Sequence, residues 1–152
     1  MRINCSSQTK GIKFSIEETS YNLEYPEQIW EEYPNDLKLV VLNNFAFLKA
    51  LHLPQMLNKV DKEARLDFNT SSPLFKEPIY NCMLNNIPFC ADVDNVKTHT
   101  KIKEFMNLKL SFKEHNDELP NYKKKLEDNA VLNISFGKDS LLTFGLANEL
   151  GL

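Results

Sequence analysis

The residues that invite chemistry lie near the end of the chain, in Ser135-Phe136-Gly137-Lys138-Asp139-Ser140. This short polar loop stands between the apolar run Ala130-Val131-Leu132-Asn133-Ile134 and the apolar stretch Leu141 to Leu150. The first run suits a buried strand, and the second suits a helix closed by Gly151, a residue favoured just past a helix C-terminus. Strand, small-residue loop and helix make half of a βαβ unit, whose loop sits where parallel sheets bind ligands. The residue types suit a phosphate. The first N–H groups of a helix and the positive end of its dipole favour an anion. Gly137 lets the backbone bend and approach closely. Ser135 and Ser140 offer hydroxyl donors and Lys138 a positive charge. Asp139 would repel a bare phosphate, so it either caps the helix or helps to hold a Mg²⁺ ion on the phosphates.

Two common phosphate motifs fail here. The P-loop requires a glycine five positions before Gly137, where Leu132 stands, and Ser or Thr directly after the lysine, where Asp139 stands. The dinucleotide fingerprint G-x-G-x-x-G is absent as well. Ser135-Phe136-Gly137-Lys138-Asp139-Ser140-Leu141 instead resembles the PP-loop of the ATP pyrophosphatases, S-G-G-x-D-S before an apolar helix. Ser135, Gly137, Asp139 and Ser140 match, Lys138 occupies the variable position, and Phe136 departs from the usual first glycine.

The resemblance covers only about the last two dozen residues. It implies a Rossmann-like α/β fold, ATP and Mg²⁺ as ligands, and adenylation of a substrate carbonyl or carboxylate with release of pyrophosphate. Residues 135 to 140 would hold the ATP phosphates, with Asp139 the candidate Mg²⁺ ligand. Such domains carry many more strands and helices after this loop. The expectation is therefore an N-terminal α+β domain of unmatched role over residues 1–128, followed by the opening strand–loop–helix of a truncated PP-loop domain over 129–152. The intact protein would be the enzyme, and these residues alone would be inactive. The competing expectation is a non-catalytic binding module with a vestigial loop.

Other residues carry less. Cys82 and Cys90, with His99 and Asp92 or Asp94 nearby, can be read as a metal site, but their spacing fits no CxxC-type zinc pattern. His52 falls at the end of a predicted helix, and His99 and His115 lie in polar, solvated surroundings. Lys123-Lys124-Lys125, with Lys97, Lys101, Lys103 and Lys109 upstream and Tyr122 beside the run, could contact RNA or another polyanion. Acidic residues interleave with them, which favours a solvated surface. Trp30 and Tyr33 could form a binding rim or pack onto the helix that follows Asp36.

The whole composition sets the frame for these sites. The chain has 152 residues, 42% hydrophobic and 26% charged, with a net charge of -3. That is enough to bury a core and is not the basic balance of a nucleic-acid coat. No run of apolar residues is long enough to cross a membrane, and the start lacks the apolar segment of a signal peptide. Three cysteines, Cys5, Cys82 and Cys90, are too few for a disulfide scaffold. The expectation is a reduced, cytoplasmic protein. Only four glycines occur, against roughly ten for average usage of about 7%. Three of them, Gly137, Gly145 and Gly151, fall in the last sixteen residues, which predicts a special backbone requirement there.

Gly11 to Glu17 alternates apolar and polar residues as a strand does, and Tyr21, Leu23 and Tyr25 repeat the pattern after a turn, predicting a hairpin. From Asp36 to His52 the spacing predicts a helix whose buried face holds Leu37, Val40, Val41, Asn44, Phe45, Leu48 and Leu51. Asn35 or Asp36 would cap it and Pro54 would stop it. Ala64 to Asn69 predicts a strand closed by the polar turn Thr70-Ser71-Ser72-Pro73. Pro73, Pro78 and Pro88 argue against regular structure between Ser72 and Asp94. Phe105 to Phe112 predicts another strand, and Lys113 to Asp128 a connector holding the domain boundary.

Overall fold

The computed structural model describes residues 1–53, 64–113, 132, 135 and 137–151. They fall into two compact units, Met1–Pro120 and Asn121–Leu152. The first unit is an α+β fold around one five-stranded mixed sheet. Its strands are β1 (Arg2–Gln8), β2 (Gly11–Ile16), β3 (Thr19–Glu24), β4 (Arg65–Phe68) and β5 (Lys109–Ser111), and its helices are α1 (Glu27–Glu32), α2 (Asn35–Ala50), α3 (Lys76–Val93) and α4 (Thr98–Met106). Among the described residues the second unit contributes α5 (Lys138–Leu150). No helix among the described residues is long and apolar enough to cross a membrane.

The strand order is β3-β2-β1-β4-β5. The first three strands form an antiparallel meander, whereas β4 and β5 run parallel to β1. The predicted hairpin is present, with Ile16 paired to Thr19 across the two-residue turn at Glu17 and Glu18. Glu17 takes a φ of 50° there, the positive value that two-residue hairpin turns use to follow strand twist. Strand β1 precedes the alternation read from the sequence, and it puts Ile3 and Cys5 into the core. Beyond the end of β4, Asn69 extends the sheet with its side chain. Its Oδ1 accepts from the Cys5 N–H at 2.8 Å, and its Nδ2 donates to the Cys5 carbonyl at 3.3 Å.

Several elements differ from expectation, each for a physical reason. In α2 the buried side is Leu42, Asn43, Ala46, Phe47 and Ala50, with Leu51 just beyond, while Leu48 is 48% exposed. The helix is apolar around most of its circumference, so spacing alone cannot choose a face. Ala46 and Ala50 are small enough for close packing beneath the helix, and both are fully buried. The cap position is Pro34, whose fixed φ of -56° places helix onset at Asn35. Asn35 and Asp36 are thus already helical, and in this first turn Asp36 Oδ1 accepts from the Leu37 N–H at 2.9 Å. Pro54 lies outside the described residues.

The proline-interrupted stretch is a continuous helix, α3. Pro78 is tolerated because it is the third helical residue, where the N–H would have no intrahelical acceptor. The first helical bond runs from Ile79 N to Phe75 O at 3.1 Å. Pro88 sits inside the helix, where it forfeits the bond to Leu84 O without ending the element. The polar turn after β4 is buried at Thr70, Ser71 and Ser72, and the Lys113 N–H donates to Thr70 O at 3.0 Å. The predicted strand from Phe105 shrinks to three residues, because Phe105 and Met106 finish α4.

The core closes where α2 meets the strands. Phe47 packs against Phe68 of β4 and Phe112 after β5, each 6.0 Å away between ring centres. Phe14 of β2 meets Phe45 edge-on at 5.8 Å. Helices α3 and α4 join through Tyr80 and Phe105, 4.6 Å apart. The glycine with the strictest backbone demand is Gly11, not one near the C-terminus. Its φ is +148° and a Cβ there would collide with the Leu23 carbonyl.

Candidate functional site

The phosphate-binding candidates gather at the N-terminus of α5. Gly137 is the cap residue and Lys138 the first helical residue, followed by Asp139 and Ser140. The first intrahelical bond runs from Leu141 N to Gly137 O at 3.1 Å. The N–H groups of Lys138, Asp139 and Ser140 therefore precede the helical ladder and carry the positive end of the dipole. Across this end the Ser135 hydroxyl donates to Ser140 Oγ at 3.4 Å, and the Ser140 hydroxyl donates to Gly137 O at 3.0 Å. Two residues five apart in sequence are thus brought together. Lys138 and Asp139 are both exposed. Their opposite charges leave the backbone amides as the main local source of positive potential.

Two roles drawn from the sequence need correction. Asp139 does not cap the helix, since no side-chain cap bond forms at this terminus. Only its backbone is engaged, with the Thr143 hydroxyl donating to Asp139 O at 2.8 Å. Gly137 has an ordinary extended backbone, with φ -77° and ψ 160°. A Cβ there would meet only Ser135 Oγ, at an unstrained 3.6 Å. The bend of the loop therefore does not require glycine at this position. Gly145 also sits in open space, and Gly151 alone of the late glycines is left-handed, at φ 73°, as the C-cap of α5. Phe136 and most of the run Ala130 to Ile134 lie outside the described residues. Leu132, the one described member of that run, is half-buried and outside any regular element.

The first unit holds a separate concavity of about 470 Å³ lined by His52, Met83, Asn86, Cys90, Asp94 and Lys101, among others. It lies between the end of α2, one side of α3 and the start of α4. By sequence Lys101 belongs with lysines expected on a solvated surface. It is instead 2% exposed, and its Nζ donates to Asp94 Oδ2 at 2.7 Å. Its partner lies seven residues back, across the turn between α3 and α4, and no local pattern announces that pairing. Burial, more than the nearby Lys49 charge, pushes the His52 imidazole below its ordinary value of 6.5, against a backbone hydrogen bond at Leu48 that raises it.

The zinc reading gains no support in geometry. Cys90 and Asp94 share the concavity, Cys82 is exposed, and His99 is exposed on α4. Among the described residues no three His, Cys, Asp or Glu side chains gather to hold a metal. Trp30 is likewise structural. Its indole N–H donates to Gln8 O at 3.0 Å and to Ser7 Oγ at 3.2 Å. Tyr25 and Tyr33 stack nearly parallel to it, and Lys38 of α2 lies 5.5 Å over the ring. The lysine run at 123–125, Tyr122 and His115 lie outside the described residues. Comparison with protein-family models, with curated proteins and with solved structures finds no match to this chain.

Proposed function

We infer that the chain carries the phosphate-binding loop of an ATP-dependent adenylating enzyme of the PP-loop type, opening a Rossmann-like α/β domain. The observation that supports this most is the meeting of Ser135 and Ser140 over the N-terminus of α5, in the one segment whose sequence resembles that loop. The N–H groups of Lys138, Asp139 and Ser140 would bind the β,γ-phosphates, with the Lys138 ammonium neutralising charge and both hydroxyls turning outward to donate. At 3.4 Å the bond between the hydroxyls is long for O–H···O and cheap to exchange. The donor set fits a polyphosphate. Asp139, exposed and uncommitted to a cap, would hold Mg²⁺ at the edge of the phosphates. ATP supplies the leaving group: a substrate carboxylate or carbonyl oxygen bonds to the α-phosphorus, and the bond to the β-phosphate oxygen breaks to release pyrophosphate.

Equilibrium dialysis of the chain against Mg·ATP tests the reading. Saturable binding that weakens in Ser140→Ala supports it, and no binding at millimolar nucleotide removes it. The second reading, a non-catalytic module, is favoured by the closed relay from Ser135 through Ser140 to Gly137 O, which satisfies the loop without a ligand. In that case neither ATP nor pyrophosphate binds.

A further inference from the structure

Strand β3 ends the sheet, and no other described strand pairs with its outer edge. All six of its residues are exposed. Edge strands are ordinarily protected by lysines, prolines, bulges or shortness. β3 has none of these. It runs in unbroken register with β2 from Ile16↔Thr19 to Gly11↔Glu24, and its single charge is the last residue, Glu24.

Two contacts orient the strand. The Leu23 carbonyl faces β2, where it blocks a Cβ on Gly11, and the Tyr25 N–H donates to Lys10 O at 2.8 Å. Backbone groups alternate sides along a strand, so those of Ser20, Asn22 and Glu24 point outward from the sheet. Tyr21 stands opposite Phe14 and Leu23 opposite Ile12, which places both on the face that α2 covers through the Phe14–Phe45 contact. The cover stops short of β3. Tyr21 remains 57% and Leu23 37% exposed. An apolar shelf continuous with the core therefore lies beside a row of outward backbone donors and acceptors.

We propose that β3 pairs antiparallel with β3 of a second copy of this chain, about a two-fold axis at Asn22, joining the two sheets into one. Complementarity selects both the partner and the register. Centred on Asn22, the pairing sets Ser20 against Glu24 of the second copy, Asn22 against Asn22, and Tyr21 against Leu23. Hydroxyl meets carboxylate and amide meets amide on the polar face, while ring and leucine extend the apolar face. About six backbone hydrogen bonds form. Centred on Tyr21, the same strands would oppose Glu18 to Glu24, and like charges directly opposed are destabilising. Centred on Leu23, only three residues of each strand would pair.

Sedimentation equilibrium of the full chain across a concentration series tests the proposal, with a monomer–dimer equilibrium expected. Asn22→Pro removes an N–H that faces outward and so leaves the ladder with β2 intact. The variant should keep its circular dichroism and raise the dimer dissociation constant about tenfold or more. Ser20→Glu, which opposes Glu24 of the second copy, should weaken the dimer, and combining it with Glu24→Lys should restore it. A wild-type chain monomeric at every concentration overturns the proposal. So does a dimer indifferent to a folded Asn22→Pro. Should that variant unfold, a dimer equally strong in wild type and Ser20→Glu overturns it.

Discussion

The Ser135 hydroxyl donates to Ser140 across the N-terminus of α5, and Ser140 donates in turn to the Gly137 carbonyl. Both hydroxyl protons are therefore engaged within the loop, and a ligand must recapture them. Ser140→Ala deletes the middle of this relay without altering the backbone amides. A hydrogen bond to a charged group contributes about 1.5–3 kcal/mol, so Mg·ATP affinity should fall about tenfold to a hundredfold. Equilibrium dialysis checks this, and an unchanged affinity removes Ser140 from the site.

Gly11 and Gly137 should respond unequally to alanine. At Gly11 a Cβ would collide with the Leu23 carbonyl in a positive-φ conformation, so Gly11→Ala should cost about 1–3 kcal/mol. At Gly137 the added methyl meets only Ser135 Oγ at 3.6 Å, and the loss should stay within about 1 kcal/mol. Urea denaturation of both variants compares them directly. An equal loss at both would contradict the placement of strain in the β1–β2 turn.

The three thiols should react in order of access. Cys82 is exposed, Cys90 is half-buried and Cys5 is buried, with burial pushing the Cys5 thiol up to about 12. Since the thiolate is the reactive form, a disulfide reagent at neutral pH should label Cys82 first and Cys5 only on unfolding. Mass spectrometry of the labelled peptides reads the order. Early labelling of Cys5 would show that the β1 core opens readily.

Stability should depend on pH through His52. Its folded-state value lies below the ordinary 6.5 because burial disfavours the charged ring. The unfolded chain therefore takes up a proton first as pH falls. Stability is full above the unfolded value and declines as pH drops through 6.5 towards the folded value. Urea midpoints at about pH 5 and about pH 8 should differ less in His52→Gln than in the wild type. If the two proteins shift equally, another group carries the effect.

Much of this architecture was legible because it depends on near neighbours. Alternation announced β2, β3 and β4, since a strand with one covered face repeats every two residues. Apolar spacing announced α2, and the small polar loop before an apolar stretch announced α5 with its Gly151 cap. The candidate loop was legible for the same reason. Helix onset, hydroxyls and lysine lie within six consecutive residues, and a short stretch can set its own geometry.

What the sequence could not decide was which of several acceptable choices the tertiary contacts would select. Apolar on nearly every side, α2 turns Ala46 and Phe47 inward and leaves Leu48 in solvent, because packing against the strands rewards close approach. Prolines argued against α3, yet Pro78 falls where no hydrogen bond is required and the rest of the helix carries Pro88. The lysine at 101 looked like surface charge until the turn between α3 and α4 brought Asp94 to 2.7 Å. Gly11 looked like any strand start until pairing with β3 brought the Leu23 carbonyl over it. The prolines apart, each of these depends on partners distant in sequence or across a turn, and pattern along the chain carries no information about such neighbours until the chain has folded.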